Sequence, residues 1–455
     1  MFKKCLMLPL LLFGLSSMAQ LNPAITSFLQ NNSVTGTYYI SGNFTAQSNG
    51  ILVNCQTVEY STTGVYVHTT GVPAYPTGPF FNNPSVATNQ NAIFKIPLAP
   101  TQNTGTAAAT TGGNIGIFIN GVALFDYRDG VAWNSTTSAL CGGPGNAPCP
   151  GGPLANLPWN RDAVPAERPG FDCSKAHPAM GNYHHHQNPS AFKLDLNVVS
   201  TICNLYDADG LYAIDSAQHS PLIGYAYDGF PIYGAYAYAD TNGIGAIVRM
   251  KSGYQLRNIT TRTTSPTGAT VTAGPVVNTT YPLGYFREDY EFIAHPGQLD
   301  YLDAHNGRLC KTPEYPNGIY CYFCTVDSNW NSAYPYAVGP TFYGVYANRK
   351  VTTITEPTTV YTPTTGVTSI NTNDFKTTIF PNPTNDFIAV QVMGLNKENL
   401  KVELFDETGK LVQQSTITAG ATNTYLDTRT LYSGNYLVKI SGSETLTTKK
   451  VVVQK

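Results

Sequence analysis

The chain has 455 residues, of which 42% are hydrophobic and 12% aromatic, so it is long enough for more than one domain and apolar enough to form a core. Only 12% of the residues are charged, about half the usual share in soluble proteins. The net charge of −2 provides no basic field for nucleic acid and no attraction to an anionic membrane. We therefore expect no nucleic-acid partner.

The N-terminus has the pattern of a secretory signal peptide. Lys3 and Lys4 precede an apolar run from Leu6 to Leu15, and small residues follow up to Ala19. The run is well short of the ~20 apolar residues that a membrane span needs, and no later segment is long and apolar enough. The sequence predicts export, with cleavage after Ala19, and no transmembrane segment.

Strand signals dominate the rest of the chain. Short β-rich runs such as Ile93–Ile96, Ile115–Ile119 and Lys401–Phe405 are bounded by turn residues, and 41 Gly and 31 Pro leave few stretches for helices. The sequence therefore predicts a mainly β protein. We divide it into a signal peptide (1–19), a large disulfide-containing β-rich domain (20–350, core about 90–346), a Thr/Pro-rich linker (351–375) and a small C-terminal β-sandwich of about seven strands (376–455).

Removal of the signal peptide leaves eight of the nine cysteines, an even number that favours disulfides in an exported chain. Cys141 and Cys149 flank a Gly/Pro-rich loop and are predicted to pair with each other. Cys321-x-x-Cys324 also has the spacing of redox and zinc motifs, but in an exported chain we favour structural disulfides. The other disulfide candidates are Cys55, Cys173, Cys203 and Cys310.

The densest group of metal-capable side chains is Tyr183-His184-His185-His186, with His177 shortly before it. Because side chains alternate along a strand, His184 and His186 are expected on one face and His185 on the other. Two imidazoles on one face are a common way to offer two ligands to one ion. Candidates for further ligands are His219 and Asp228.

Asp303 and Glu314 are candidates for groups that orient the ligands or act as a general base. Imidazole with carboxylate or water suits zinc, copper(II) or non-haem iron, and the sequence does not choose among these. The competing interpretation is an adventitious metal patch, or ordinary hydrogen-bonded histidines. Nucleophile elbows, phosphate loops, dinucleotide fingerprints and H-E-x-x-H are absent from the sequence.

Two functions remain open at this point. One is a secreted metal-binding domain, for which the sequence leaves open whether it is an enzyme, with hydrolase and oxidoreductase as the two candidate classes. The alternative is a non-catalytic extracellular binding or adhesion module with a Tyr- and Thr-rich surface. Tyrosines crowd around the segment Asp228–Gly234, and exposed rings would favour sugar stacking whereas buried rings would form a core.

The large domain contains a series of motifs in order: Asn114-Ile115-Gly116-Ile117, Asp172 with Cys173, His177-Pro178, Tyr183–His186, His219–Tyr225, Asp228–Gly234, Asn306-Gly307-Arg308 and Thr312–Pro316. With these motifs it resembles the YHYH family. The third position of the naming motif is His185, where the family has tyrosine, whereas both family histidines are present as His184 and His186. The YHYH family has no settled biochemical activity, so the resemblance does not imply a reaction.

The tail contains five short motifs in order: Ile379–Thr384, Leu404–Asp406, Thr408–Lys410, Leu431–Tyr436 and Lys449–Val451. With these motifs it resembles the C-terminal sorting domain of type IX (Por) secretion cargo from Bacteroidota. The resemblance implies that residues 376–455 interact with the type IX machinery and that the protein reaches the cell surface or the medium. It also implies removal of the tail, with release or attachment to surface lipopolysaccharide. An extracellular glycan is a further candidate partner.

Overall fold

The computed structural model describes residues 21–43, 45–81, 85–152, 157–190, 211–212, 214–363, 377–392, 398–406, 409–442 and 446–455. The predicted signal peptide, Cys203 and Thr408 lie outside these residues. The described chain is mainly β, with 39% strand and 4% helix, which confirms the predicted fold class. Among the described residues, no helix has the length and apolar character that a membrane crossing requires.

In the part of the chain that the structure describes, helical structure is confined to short turns. Helix α1 (Pro23–Thr26) begins at Asn22, whose side chain accepts a hydrogen bond from the Ala24 N–H. Helix α2 (Ala163–Glu167) begins at Asp162, whose side chain accepts from the Val164 N–H. Such N-terminal caps satisfy N–H groups that have no partner within the helix. Two 3₁₀ turns are Arg168–Gly170 and Arg287–Asp289.

Twenty-two strands are described before the tail. They are β1 (Thr35–Tyr38), β2 (Gln47–Leu52), β3 (Cys55–Tyr60), β4 (Gly64–Thr69), β5 (Ala92–Pro97), β6 (Asn114–Phe118), β7 (Ala123–Phe125), β8 (Arg128–Asn134), β9 (Ala139–Cys141), β10 (Asn160–Asp162), β11 (Ala176–Ala179), β12 (Asn182–His185), β13 (Leu222–Ala226), β14 (Pro231–Tyr233), β15 (Tyr236–Tyr238), β16 (Ile247–Arg249), β17 (Tyr254–Leu256), β18 (Tyr290–Phe292), β19 (Gly307–Cys310), β20 (Ile319–Phe323), β21 (Lys350–Val351) and β22 (Thr359–Val360).

Two sheets carry the main core. One has eight strands in the order β11-β12-β7-β6-β13-β14-β20-β19, and the other has five in the order β21-β5-β4-β3-β22. Along β5, Ala92, Phe94 and Ile96 are buried and their neighbours are not, because alternate side chains point to opposite faces. They join one apolar cluster with Ile117 and Tyr225 of the eight-stranded sheet. The apolar faces of the eight-stranded and five-stranded sheets therefore pack against each other and form the main core.

Gly121, in the turn between β6 and β7, lies against the end of β4. Its φ is +78°, and a Cβ added there would lie 2.1 Å from Thr69 Oγ1. Gly121→Ala is therefore expected to destabilise the domain by roughly 2–4 kcal/mol, from backbone strain and the clash together. Gly113→Ala is the matched control, because its φ is +90° but nothing lies within 4 Å. We expect this control to lose about 1 kcal/mol. Denaturant unfolding of both variants measures the difference, and equal losses would contradict the clash.

The hairpin β11–β12 is set by a two-residue turn. Met180 and Gly181 both have positive φ, 49° and 83°, which is the type I′ geometry that matches the twist of a hairpin. The strands pair with His177 opposite His184 and Ala176 opposite His185. β12 also pairs in parallel with β7, with His184 opposite Ala123. The turn therefore fixes the register that places His177 beside His184.

The predicted local disulfide between Cys141 and Cys149 is present. Cys173 is also disulfide-bonded. Four further cysteines are buried thiols in the structure: Cys55, Cys310, Cys321 and Cys324.

The start of the predicted linker lies against the first domain. β21 pairs with β5 and β22 pairs with β3, and the carboxylate of Glu356 accepts from Lys95 Nζ at 2.7 Å and from Thr63 Oγ1 at 3.1 Å. The segment up to Val360 therefore belongs to the five-stranded sheet. Thr/Pro-rich composition predicted an extended chain here, but threonine also suits strands.

The tail forms two small sheets around its own core. Its strands are β23 (Thr377–Phe380), β24 (Phe387–Val392), β25 (Leu400–Phe405), β26 (Leu411–Ile417), β27 (Asn423–Asp427), β28 (Gly434–Ser441) and β29 (Leu446–Val453). The sheets have the orders β23-β24-β27 and β26-β25-β28-β29. Val390, Val402, Leu404, Val438 and Ile440 lie among the buried side chains between them. This is the small C-terminal β-sandwich that the sequence predicted.

Candidate metal centre

Three histidines converge at the β11–β12 hairpin. His177 and His184 are opposite each other in register, and His186 follows directly after β12. One nitrogen of each ring lies within 4.8 Å of the others. All three side chains are largely buried, with exposed fractions of 9%, 2% and 4%. The alternation that predicted a shared face for His184 and His186 therefore also brings His177 to them.

The backbone fixes which nitrogens of His184 and His186 face each other. His184 Nδ1 lies 2.8 Å from the Asn182 carbonyl oxygen, and His186 Nδ1 lies 2.7 Å from that of Asp126. A carbonyl oxygen only accepts, so both Nδ1 atoms carry hydrogen and donate. The two Nε2 atoms, 3.2 Å apart, then point lone pairs at each other. That arrangement is stable when a proton or a metal ion lies between them.

Glu167, the last residue of α2, adds a carboxylate to the same point. Its Oε2 atom lies 3.1 Å from Nε2 of His177 and 3.1 Å from Nε2 of His186. Despite this closeness, Glu167 Oε2 and His177 Nε2 make no aligned hydrogen bond with any described residue. Buried polar atoms without such a partner are rare in folded proteins. A metal ion placed between them could satisfy both atoms.

The charges in the cluster depend on one another. Burial alone would raise the pKa of Glu167, but the imidazoles of His177 and His186, 3.1 Å away, hold it well below its usual range. Burial and the charges of His186 and His177 lower the pKa of His184 well below normal. Burial also opposes charge on His186, yet the Glu167 carboxylate raises its pKa. The cluster thus places an ionised carboxylate beside the neutral imidazole of His184, whereas the raised pKa of His186 favours a proton that a metal ion would have to replace.

Aromatic rings enclose the cluster. Phe125 stacks on the His184 ring with 3.8 Å between centroids, and Phe171 lies edge-on to His177 at 5.1 Å. These rings restrict the orientations of the imidazoles and exclude water from one side of the site. An apolar enclosure of this kind strengthens ligand–ion electrostatics.

The comparison with known families matches this part of the chain. Residues 93–335, more than half of the chain, match the sequence model of the family described as YHYH protein. The chain belongs to the YHYH protein family. Residues 378–454 match the model described as a secretion system C-terminal sorting domain, which indicates interaction with the type IX system and export to the cell surface or extracellular space. A search of curated proteins finds no match.

His185, which replaces the family tyrosine, lies on the other face of β12. Its Nε2 atom lies 2.9 Å from the Tyr75 hydroxyl, and its ring is edge-on to Phe118 at 5.5 Å. Burial lowers its pKa to about 3. The additional imidazole of this YHYH protein therefore does not join the histidine cluster.

The structure places the other two proposed ligands elsewhere. His219 packs between Tyr233 and Tyr238, and its Nδ1 atom lies 2.7 Å from the Ser220 carbonyl oxygen. Asp228 accepts hydrogen bonds from the Tyr322 hydroxyl and from backbone N–H groups. Neither residue is part of the cluster formed by His177, His184 and His186.

Asp303 and Glu314 also lie in other hydrogen-bonded groups. Asp303 accepts from the Tyr320 hydroxyl at 2.9 Å, and Glu314 accepts from the Tyr233 hydroxyl at 2.9 Å. The tyrosines around the segment 228–234 are mostly buried, including Tyr225, Tyr227 and Tyr233. They therefore form core rather than an exposed platform for sugars.

Sequence reasoning did not identify Glu167. The contact joins a short helix to a hairpin, and no regular spacing predicts such a contact. The available signals were its closeness in sequence to His177 and the position of Asp162, which begins the helix. Only the packing of α2 against the hairpin makes Glu167 part of the centre.

Proposed function

We propose that the large domain binds one divalent transition metal ion through His177, His184, His186 and Glu167. The observation that carries the proposal is the convergence of the imidazole Nε2 atoms, whose Nδ1 hydrogens are held by backbone carbonyls at His184 and His186. Three imidazoles and one carboxylate suit zinc, copper(II) or iron. A bound metal ion would place positive charge between the imidazole lone pairs and the Glu167 carboxylate.

Four protein ligands fill a tetrahedral shell, which is typical of sites that stabilise a fold. Glu167 belongs to α2 and the histidines to the β11–β12 hairpin and the residue after it, so a bound ion would link these two segments. We therefore infer that the ion stabilises this end of the eight-stranded sheet. The alternative of a binding module with a tyrosine surface has weaker support, because the tyrosines that suggested it are mostly buried.

Glu167→Gln tests the fourth ligand. The amide keeps the shape of the side chain but loses its charge. Loss of a group that only orients a ligand lowers metal affinity roughly tenfold or more, so loss of a direct ligand is expected to lower it at least as much. Competition with a chelator measures this affinity. Glu314→Gln is the matched control, because its carboxylate lies in another hydrogen-bonded group. Equal affinity in the Glu167 variant and the unaltered protein would remove Glu167 from the site.

We also propose the route and the domain limits. Residues 1–19 direct the chain to the periplasm, and the tail then directs it across the outer membrane, with tail removal and attachment to surface lipopolysaccharide or release. Since β22 pairs with β3, we place the end of the large domain near residue 361, the linker after it, and the sorting domain at 376–455.

A further inference from the structure

Lys175 is a fully buried lysine that lies immediately before β11. Its exposed fraction is 0%, and it is among the largest completely buried side chains of the described chain. The turn that carries it is tight, because the Asp172 carboxylate accepts from the Ser174 N–H at 2.9 Å and from the Ala176 N–H at 3.3 Å. Lysine is almost never fully buried without a partner, so the surroundings of its amine are informative.

The Lys175 amine lies against the side-chain amide of Asn188. Its Nζ atom is 3.1 Å from Asn188 Oδ1 and 2.9 Å from Ser190 Oγ. Asn188 and Ser190 are also 0% exposed. Both follow β12, so these contacts join the two ends of the β11–β12 hairpin. An amine held beside a carboxamide in this way is positioned for acyl transfer, since proximity replaces a bimolecular encounter.

Two hydroxyl groups orient the Asn188 amide. Ser332 Oγ donates to Asn188 Oδ1 at 2.5 Å, and Asn188 Nδ2 donates to Ser190 Oγ at 2.6 Å. The hydrogen bond from Ser332 polarises the carbonyl and stabilises the negative charge that develops on Oδ1 when a nucleophile adds to Cγ. Ser190 Oγ lies within hydrogen-bond distance of both nitrogens, so its hydroxyl is placed to pass protons from one to the other.

We propose that Lys175 and Asn188 form an intramolecular isopeptide bond between Nζ and Cγ, with release of ammonium. The proposal does not depend on the metal centre. It rests on the contact between the amine and the amide oxygen, on the two hydroxyl groups that hold the amide, and on the complete burial of both reacting side chains. The bond covalently joins the segment before β11 to the segment after β12.

The reaction exchanges one amide nitrogen for another and needs no oxidant or reductant. The Nζ–Cγ bond forms and the Cγ–Nδ2 bond breaks. Of the three protons on the Lys175 ammonium group, one stays on the new amide nitrogen and the others pass through the Ser190 hydroxyl to Nδ2. The departing nitrogen leaves with them as ammonium, so the positive charge of Lys175 leaves the site as well.

Burial favours this product in two ways. The reaction moves a positive charge from a fully buried position to the solvent, where it is hydrated. Burial also excludes water from the Asn188 carbonyl carbon, which suppresses hydrolysis as a competing reaction.

Peptide mapping of the reduced, full-length protein tests the bond. Trypsin cleaves after lysine only where the ε-amine is free, so we expect one peptide covering residues 162–193, lighter than its sequence by one ammonia. Two peptides, one ending at Lys175 and one starting at Ala176, would overturn the proposal. A succinimide at Asn188 also loses ammonia, but it leaves Lys175 open to trypsin and would therefore count against the bond.

Lys175→Arg tests the nucleophile. The guanidinium keeps the positive charge but not the amine, so the peptide that contains Asn188 is expected at its full mass. Lys251→Arg is the matched control, because that amine is partly exposed and pairs with Asp300, and it should leave the peptide 162–193 short by one ammonia. A deficit that persists at Asn188 in Lys175→Arg would contradict the proposal. The map of the unaltered protein decides the question even if a variant fails to fold.

Discussion

The double variant His184→Ala/His186→Ala is expected to lose nearly all of the metal that the unaltered protein carries. It removes two of four ligands, including the two Nε2 atoms that lie 3.2 Å apart. The remaining imidazole and carboxylate make a weak site, since affinity for transition ions depends on the number and geometry of ligands. Elemental analysis of the purified, untagged protein measures the metal content. A near-stoichiometric content that falls to background is the predicted result.

His185→Ala is the matched control for this variant. It removes a buried imidazole from the same strand, but on the face that contacts Tyr75 and Phe118. Metal content should therefore stay near that of the unaltered protein. Equal loss in the control would mean that folding, rather than ligation, determines metal content. Circular dichroism of all variants separates these two explanations, and metal retained by the folded double variant would contradict the proposed ligands.

Asp289→Ala is expected to cost about 3–5 kcal/mol of stability, the range for removing one partner of a buried ion pair. Asp289 and Arg262 are both fully buried. Arg262 donates to both carboxylate oxygens and to the carbonyls of Pro275, Tyr281 and Pro282. These contacts hold the long irregular segment between β17 and β18. Loss of the carboxylate leaves a buried guanidinium without its counter-charge.

An exposed ion pair provides the comparison. Asp300 accepts from Lys251 at 2.6 Å, but both side chains are about a third exposed. Asp300→Ala is therefore expected to cost less than about 1 kcal/mol. Denaturant unfolding followed by tryptophan fluorescence measures both variants. Similar losses at the two positions would show that burial does not determine the contribution of the Asp289 pair.

Much of the fold follows from local patterns in the sequence. Short β-rich runs bounded by turn residues predicted strands such as β5, β6 and β25, and the domain division predicted a separate C-terminal sandwich. The H-x-H spacing predicted the shared face of His184 and His186, because that depends only on strand geometry. These predictions succeed where one segment determines its own conformation.

The rest of the site depends on contacts between distant segments. The sequence suggested Asp228 as a metal ligand. In the structure its carboxylate instead accepts hydrogen bonds from the Tyr322 hydroxyl and the Gly344 N–H, and so it satisfies buried polar groups of the core. Glu167 has no motif around it, yet the packing of α2 brings it to the histidines. Sequence patterns identify polar residues, but tertiary packing decides whether they bind a ligand or satisfy buried backbone groups.

Anomalous diffraction from crystals of the protein grown with zinc, copper or iron tests the central claim most directly. The proposed site predicts one strong peak between His177, His184, His186 and Glu167, at about 2.0–2.2 Å from the ligand atoms. Data on either side of each absorption edge would identify the ion. Absence of density at this point, in crystals that show bound metal elsewhere, would contradict the proposed metal centre.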